Sequence, residues 1–422
     1  MKESRIGIGE NEIPESLPLL DFVDRRFGLA QKQPFRGRKI LAVQHLLGAS
    51  IPLFSLLEKG GAKPEDVYVV GKAYSSHPEV VRRLIASGYN LSFDDVFSFD
   101  QSVPYDSLLE SHIVQMCSQM LEDGDFSRGL IIDDGGKAIK LVHEEHPELL
   151  TVCSSVEQTS RGARLLSSIP LSLPVINVAR SEAKTIHESP SIAEAMVSEF
   201  MISLSRWQEA GVYSLSKKEV LVLGFGFIGE GVVSRLQKLG FSVSVFDPDE
   251  SRMAKVASIP GVRAEFDRVS AYSHANVIIG CSGTPSIPPI EFQAIQPNTL
   301  LVNMASTDLE FSAWNLRKTE DIVHQQVLPS DTRYLQQFSP MPWRSLYHVR
   351  ENGTHFYLAN GGFPSDFSGK INPVPAAEIQ LTAALLLGAA VQAVDTQKTG
   401  LVDLDLAMQT AVINEYLRIQ AR

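Results

Sequence analysis

The sequence predicts an α/β protein built on two doubly wound parallel sheets, with one domain inserted between two pieces of the other. Three observations predict it: strands alternate with helices along most of the chain, a glycine-rich turn joins a strand to a helix near the middle, and the 422 residues exceed one small core. Apolar residues at 44% and charged residues at 21% are the balance of a globular chain, which excludes a disordered or collagen-like one. Thirty-eight basic against 49 acidic residues leave a net charge of −11, so neither nucleic acid nor a membrane is an expected partner. Cys117, Cys153 and Cys281 are odd in number and widely spaced, which fits a reducing cytoplasm better than a disulfide framework or a metal site. The opening MKESRIGIGENEIPESL lacks the layout of a signal peptide. The longest apolar stretch, Leu381 to Val391, is too short to span a bilayer.

The segment KILAVQHLLGASIPLFSLLEKGGA, from Lys39, reads as a strand running into a helix that closes at Gly60-Gly61. DVYVVGKAY is a second strand, and HPEVVRRLIASGY a helix with Val80, Val81, Leu84 and Ile85 on its apolar face. SHIVQMCSQMLEDG and RGLIIDDGG repeat the helix and the strand. A parallel sheet places its active edge at the strand C-termini, where His45 and the pair Asp133-Asp134 fall. The competing reading makes His45 a helix cap and the aspartates a turn. Near residue 190, Ser189-Pro190-Ser191 precedes the helix pattern IAEAMVSEFMISLSRWQEAG, with Ser191 and Glu194 at capping-box spacing. Its stripe of Ile192, Met196, Phe200, Leu204 and Trp207 reads as packing. KKEVLVLGFGFIGEGVVSRLQKLGFSVSVFDPD then starts a new strand–helix–strand unit, followed by the strands NVIIGC, TLLVNMA and HFYLAN and the long buried helix PAAEIQLTAALLLGAAVQAV. The expected organisation is 1–190 as the first part of a substrate domain, 191–355 as the inserted domain, 356–395 as the return segment and 396–422 as a helical tail. That tail reads as an amphipathic helix for subunit or domain packing, and a homo-oligomer is expected.

Gly224, Gly226 and Gly229 spell G-x-G-x-x-G directly after the strand Val220–Leu223, with Phe227 and Ile228 opening the helix. Asp247 ends the next strand, 23 residues after Gly224. The first glycine allows a tight turn, the second a close approach of backbone to pyrophosphate, and the third close helix–strand packing; free N–H groups at the helix start stabilise phosphate charge. Asp247 can accept hydrogen bonds from ribose hydroxyls, and with Asp249 and Glu250 beside it a 2′-phosphate is disfavoured. This context makes the insert a Rossmann-like dinucleotide domain with NAD as its cofactor.

The runs LIIDDGGKAIKLVHEEHPELL, VEQTSRG, INVARSEAK and VLVLGFGFIGEG, followed by Asp247, resemble in order and spacing the adenosylhomocysteinase (S-adenosylhomocysteine hydrolase) family. FRGRKILAVQHLL is similar to its first strand and histidine loop, and the likeness covers roughly residues 35–390. It implies a redox-assisted elimination: retained NAD oxidises a ribose 3′-hydroxyl, the neighbouring C4′ proton becomes acidic, the 5′ substituent leaves, and the ketone is reduced again. By motif position Lys184 serves the 3′-hydroxyl, Asp134 is the acid–base aspartate, His45 the N-terminal histidine, and Glu188 stands for an aspartate beside the lysine. Thr159 and Ser160 match part of a threonine run at the nicotinamide end, with Arg161 in the third place, and Gly280, Ser282 and Asn303 lie at matching strand ends. The substrate shell departs from the pattern. Leu47 and Ala49 replace a threonine and a glutamate that hold adenine, Gln158 a glutamate on the ribose, Ser189 an asparagine, Ser306 a histidine near the 5′ side, and Asn372 a histidine at the base. The tail residues lent to a neighbour's NAD are not recognisable in NEYLRIQAR. A lost buried polar partner costs about 1–3 kcal/mol, so the departures point to a nucleoside-type substrate other than S-adenosylhomocysteine.

Three further readings stand beside it: a sugar or nucleoside oxidoreductase or epimerase, a 2-hydroxyacid dehydrogenase, and a regulatory paralogue that only holds NAD. A 2-hydroxyacid dehydrogenase wants an arginine and a Glu–His pair, for which Arg333, Arg344 and His348 are the residues on offer. His143 and His146, in HEEH, read as a solvated helix face, so no metal is assigned.

Overall fold

The computed structural model describes residues 7–124, 126–318, 321–328 and 331–421. In chain order the described strands are β1 Lys39–Gln44, β2 Val67–Gly71, β3 Gly129–Asp133, β4 Cys153–Glu157, β5 Pro174–Asn177, β6 Glu219–Leu223 and β7 Ser242–Phe246. They continue with β8 Val262–Ala264, β9 Val277–Gly280, β10 Leu300–Asn303, β11 Ile322–Gln325, β12 Ser345–Glu351, β13 Thr354–Leu358 and β14 Gly400–Asp403. The chain divides into two compact units, one of Met1–Ser98, Leu109–Glu188 and Gly369–Arg422, the other of Phe99–Leu108 and Ser189–Ser368.

The first unit holds a sheet in the order β14-β5-β4-β3-β1-β2, parallel throughout. Its inner strands are buried along their length, as KILAVQ and GLIID must be when helices cover both faces of a parallel sheet. After β1 the chain adds β2 on one side and then β3 on the other. The crevice between the C-terminal ends of β1 and β3 is thus the switch point at which such sheets bind ligands. The helix Ala376–Asp395 is long and apolar enough to cross a membrane, contrary to the expectation from Leu381–Val391 alone. Its most apolar window is 83% buried, which makes it the core helix of this unit.

The second unit holds a sheet in the order β11-β12-β13-β10-β9-β6-β7-β8. From β8 to β13 the pairing is parallel, and β12 and β11 close that edge antiparallel. Here the switch point lies between β6 and β9, just where the glycine-rich turn leaves β6.

Four features differ from the sequence expectation. The boundary set at 355 cuts β13, because β13 pairs with both β10 and β12; the return to the first unit comes at Gly369. The tail is not only helical: β14 adds to β5 before the helix Leu406–Gln420. Ser191 and Glu194 form no capping box, since the helix Ser189–Glu209 continues directly from a π-helical segment, Ala183–Glu188, and Glu194 pairs with Arg235 at 2.9 Å.

The fourth difference is the segment Phe99–Leu108, which joins the second unit although sequence order places it in the first. Fully buried Arg317 holds it there. The guanidinium pairs with Asp308 at 2.8 Å and donates to the carbonyls of Gln101 (3.2 Å) and Gly361 (2.9 Å). It also lies over the rings of Phe99 and Phe363, 5.2 and 5.1 Å from their centroids, while Asp308 accepts from the Tyr105 N–H at 3.3 Å.

Candidate functional site

The first unit gathers its polar side chains at the strand ends. Residues directly after β1, β2, β3 and β4 are His45, Lys72, Asp134 and Gln158, and Asp134 is the hub. Its Oδ1 pairs with the Lys72 ammonium at 2.5 Å, and Lys72 also donates to the Asp134 carbonyl at 3.0 Å. Its Oδ2 lies 3.3 Å from His45 Nε2 and accepts from the Gln158 amide. Gln158 in turn accepts from Gln44 at 3.3 Å. His45 Nδ1 is hydrogen-bonded to the hydroxyl of Ser75, which is buried. Burial alone would raise the Asp134 carboxyl, but the adjoining Lys72 and His45 outweigh it and hold it well below the usual carboxylate range. Burial, then Lys72, push the His45 imidazole down from its ordinary value against the pull of Asp134.

The two aspartates of the DDGG run therefore do different work. Asp133 points into the fold, its Oδ2 accepting from the Ile139 N–H at 3.0 Å at the start of the helix Lys137–Glu145, and burial pushes it up to about 6. Gly136 has φ +74°, and a Cβ there would stand 2.9 Å from Gly162 Cα, so the turn that follows Asp134 requires glycine. His45 caps no helix: the helix Ser50–Lys59 begins without a side-chain cap.

Lys184 and Glu188 sit four residues apart on the π-helical segment, 3.1 Å between Nζ and Oε2. Glu188 is buried and accepts from the Thr382 hydroxyl on the long core helix. Other expected residues have partners of their own in this unit. Asn372 donates to the carbonyls of Gly9 (3.0 Å) and Glu12 (2.8 Å), which fastens the N-terminal segment. Thr159 caps the helix Ser160–Leu166 through Gly162 N–H at 2.9 Å and donates to Glu157 at 2.6 Å; Ser160 is exposed on the same unit. His143 is satisfied by the Ile139 carbonyl (2.7 Å) and the Ser172 N–H (3.0 Å).

In the second unit the glycine turn has the shape a pyrophosphate needs. Gly224 has φ +102°, and a Cβ on it would stand 2.8 Å from the backbone of Cys281 and Ser282; one on Gly229 would strike the Gly224 carbonyl. A Cβ on Gly226 would meet nothing within 4 Å, so the middle glycine faces open space at the start of the helix Phe227–Lys238. Phe227 is exposed and Ile228 half-buried there. The buried Asp247 carboxylate accepts from Phe225 N–H (2.6 Å) and Asp249 N–H (2.9 Å), and Arg252 approaches it at 3.2 Å. These residues fit a dinucleotide. Asp249 caps the helix Glu250–Ala257, and the Arg252 cation stands beside Asp247.

Asn303 is spent on its own loops, donating to Thr307 O (2.6 Å) and Gly362 O (2.7 Å) and accepting from Ala305 N–H (2.8 Å); Ser306 is half-buried in the bend that follows. The loop after β9 is pinned by Glu310, which sequence reasoning missed. Its carboxylate accepts from Gly283 N–H at 2.5 Å and lies 3.0 Å from the Ser282 hydroxyl, and a Cβ on Gly280 would stand 2.6 Å from it. Burial pushes Glu310 up to about 7, from 4.5 in a free side chain. The folded state thus keeps a proton that the unfolded chain releases near pH 4.5. This contribution to stability is complete below pH 4.5, is lost as pH rises to about 7 and stays lost above. Chemical denaturation at pH 4.5 and pH 8 should show a fall of about 3 kcal/mol from this group, and Glu310→Gln should remove that part of the slope; an unchanged slope would place Glu310 in solvent contact.

Residues 192–309 match the model of the D-isomer specific 2-hydroxyacid dehydrogenase, NAD binding domain. The cofactor is NAD. An uncharacterized protein of Mycobacterium tuberculosis is 29% identical over 391 residues, covering 91% of this chain and 70% of that protein. The S-inosyl-L-homocysteine hydrolase of Methanothermobacter thermautotrophicus is 25% identical over 308 residues, 71% of this chain and 67% of its own. Among solved structures, a phosphoglycerate oxidoreductase of Vibrio cholerae aligns with a TM-score of 0.36 at 14% identity, covering 64% of this chain and 76% of that one. Residues 192–309 are thus an NAD-binding Rossmann domain of the dehydrogenase type.

Proposed function

We propose that this chain is an NAD-dependent enzyme of the adenosylhomocysteinase type. It transiently oxidises the ribose 3′-hydroxyl of a nucleoside-type substrate and so allows elimination or hydrolysis at the 5′ position, on a substrate other than S-adenosylhomocysteine. The observation that carries the reading is the presence on one sheet edge of two acid–base couples, Lys184–Glu188 and His45–Asp134, with the charge of Lys184 felt at His45. Bound NAD supplies the hydride acceptor and later returns the hydride. Lys184 exchanges the proton of the 3′-hydroxyl while Glu188, held by Thr382, orients its amine. The His45–Asp134 couple removes the C4′ proton once the neighbouring carbonyl has acidified it and returns a proton on the 5′ side. The order of the motifs supports this, as does the hydrolase of an inosyl thioether among the relatives. Leu47 and Ala49 in the histidine loop, and Asn372 bound to the N-terminal segment, support a base pocket unlike that for adenine.

The match of residues 192–309 favours a second reading, a 2-hydroxyacid dehydrogenase. Against it, Arg344 is buried, and His348 stacks on Tyr357 (4.9 Å) and packs edge-on to His355 (5.6 Å), with no hydrogen-bonded carboxylate on it among the described residues. Absorbance at the NADH band, with nucleosides and 2-hydroxyacids added in turn, separates the two. A nucleoside should produce bound NADH without net turnover of free NAD. Net accumulation with a hydroxyacid favours the dehydrogenase, and silence with every compound favours a regulatory NAD-binding protein.

A further inference from the structure

Lys72 is a cation at the strand-end edge to which the sequence motifs assign no role. It follows β2 directly, is only 4% exposed, and reaches Asp134 across 62 residues of sequence. Burying an ammonium costs several kcal/mol unless it is well paired. A lysine whose only task was packing would be replaced without loss by an apolar side chain. Its two acceptors are both on Asp134, the Oδ1 atom and the peptide carbonyl.

We propose that Lys72 is a positioning residue of this site: by occupying Oδ1 and the carbonyl of Asp134 it turns Oδ2 toward His45 and Gln158, so that His45 is the group that exchanges a proton with substrate. The inference rests on the proposed function for its catalytic meaning and on the geometry alone for its electrostatics. Several groups among the described residues act on the imidazole. Asp134 draws a proton to it, Lys72 and Lys184 repel one, the Ser75 hydroxyl occupies Nδ1, and the Tyr74 ring stands edge-on at 6.1 Å. With Lys72 in place its charge offsets that of Asp134, and the ring remains neutral in its half-buried position. Without it the carboxylate acts unopposed and the imidazole holds its proton to higher pH. A neutral ring is the form that takes a proton from carbon, so the same lysine sets the acid limb of the activity profile.

The test follows the His45 ring signal by NMR against pH in the full-length protein with its cofactor. In the natural chain His45 should be neutral at pH 7, and this measurement needs no variant. Lys72→Met should move the midpoint upward by about 1 pH unit or more, whereas Lys72→Arg should leave it near the natural value. The acid limb of the substrate-dependent NADH signal should shift with the midpoint. An imidazolium at pH 7 in the natural chain, or a midpoint unmoved in Lys72→Met, overturns the proposal. Should Lys72→Met not fold, the natural chain decides the matter, with Asp134→Asn, expected to move the midpoint downward, as the second variant. A silent nucleoside panel with the expected titrations would overturn the nucleoside reading and leave this arrangement standing.

Discussion

Lys184→Ala is expected to lower substrate-dependent reduction of bound NAD by about 10²–10⁴-fold, the usual worth of a positioned proton acceptor. The side chain is 17% exposed, and its ammonium lies 3.1 Å from the Glu188 carboxylate. Lys184 lies on the π-helical segment Ala183–Glu188, outside the strands and the helix Ala376–Asp395, so its removal is expected to leave both in place. Glu188 keeps its hydrogen bond from Thr382, so the buried carboxylate retains one partner. Absorbance at the NADH band with a substrate nucleoside measures the effect, and circular dichroism shows that the fold persists. Lys184→Arg should not restore the rate, because a guanidinium stays charged and cannot accept the hydroxyl proton. Reduction at the natural rate in Lys184→Ala would remove this lysine from the chemistry and, with it, the central step of the proposed function.

The largest expected effect on stability is that of Arg317→Met, about 3–5 kcal/mol from the loss of one partner of a buried ion pair. Arg317 and Asp308 are both inaccessible to solvent, so the variant leaves an uncompensated carboxylate in the core of the second unit. It also removes the donor to the Gln101 carbonyl and the cation over Phe99, two of the contacts that hold Phe99–Leu108 in that unit. Denaturant unfolding should show the loss, and limited proteolysis should cut first near residues 99–108. The double variant Arg317→Met with Asp308→Leu should recover most of the stability, since the orphaned charge goes with it. A single variant within about 1 kcal/mol of the natural chain would mean that water reaches the pair.

Much of the fold was legible because its signals are local. The all-apolar strands KILAVQ and GLIID, the turn from Leu223 through Gly224 to Phe227, and the placement of His45 and Asp134 just past strand ends each depend on a few consecutive residues. The resemblance marks Asp134 as the acid–base aspartate, but its contact with His45 and the inward turn of Asp133 were not legible, because they depend on strands that only the sheet brings together. Gln158, Asn303 and Asn372 each hold protein partners that their places in the sequence did not reveal. An amide can serve either a ligand or a loop, and nothing in its neighbours along the chain distinguishes the two.

From the order of its residues alone, this protein is determined to be an α/β chain with a dinucleotide turn at Gly224–Gly229 and acid–base side chains at the ends of parallel strands. Such patterns repeat every two to four residues or lie within one turn, so they survive without knowledge of the rest. Only the tertiary structure decided that Lys72 clamps Asp134, that Glu310 pins the loop after β9, and that Arg317 draws Phe99–Leu108 into the second unit. Glu310 and Gly283 stand 27 residues apart, Lys72 and Asp134 62, and Arg317 and Gln101 216. Groups so distant along the chain choose partners only when packing excludes water and brings matching donors and acceptors within reach.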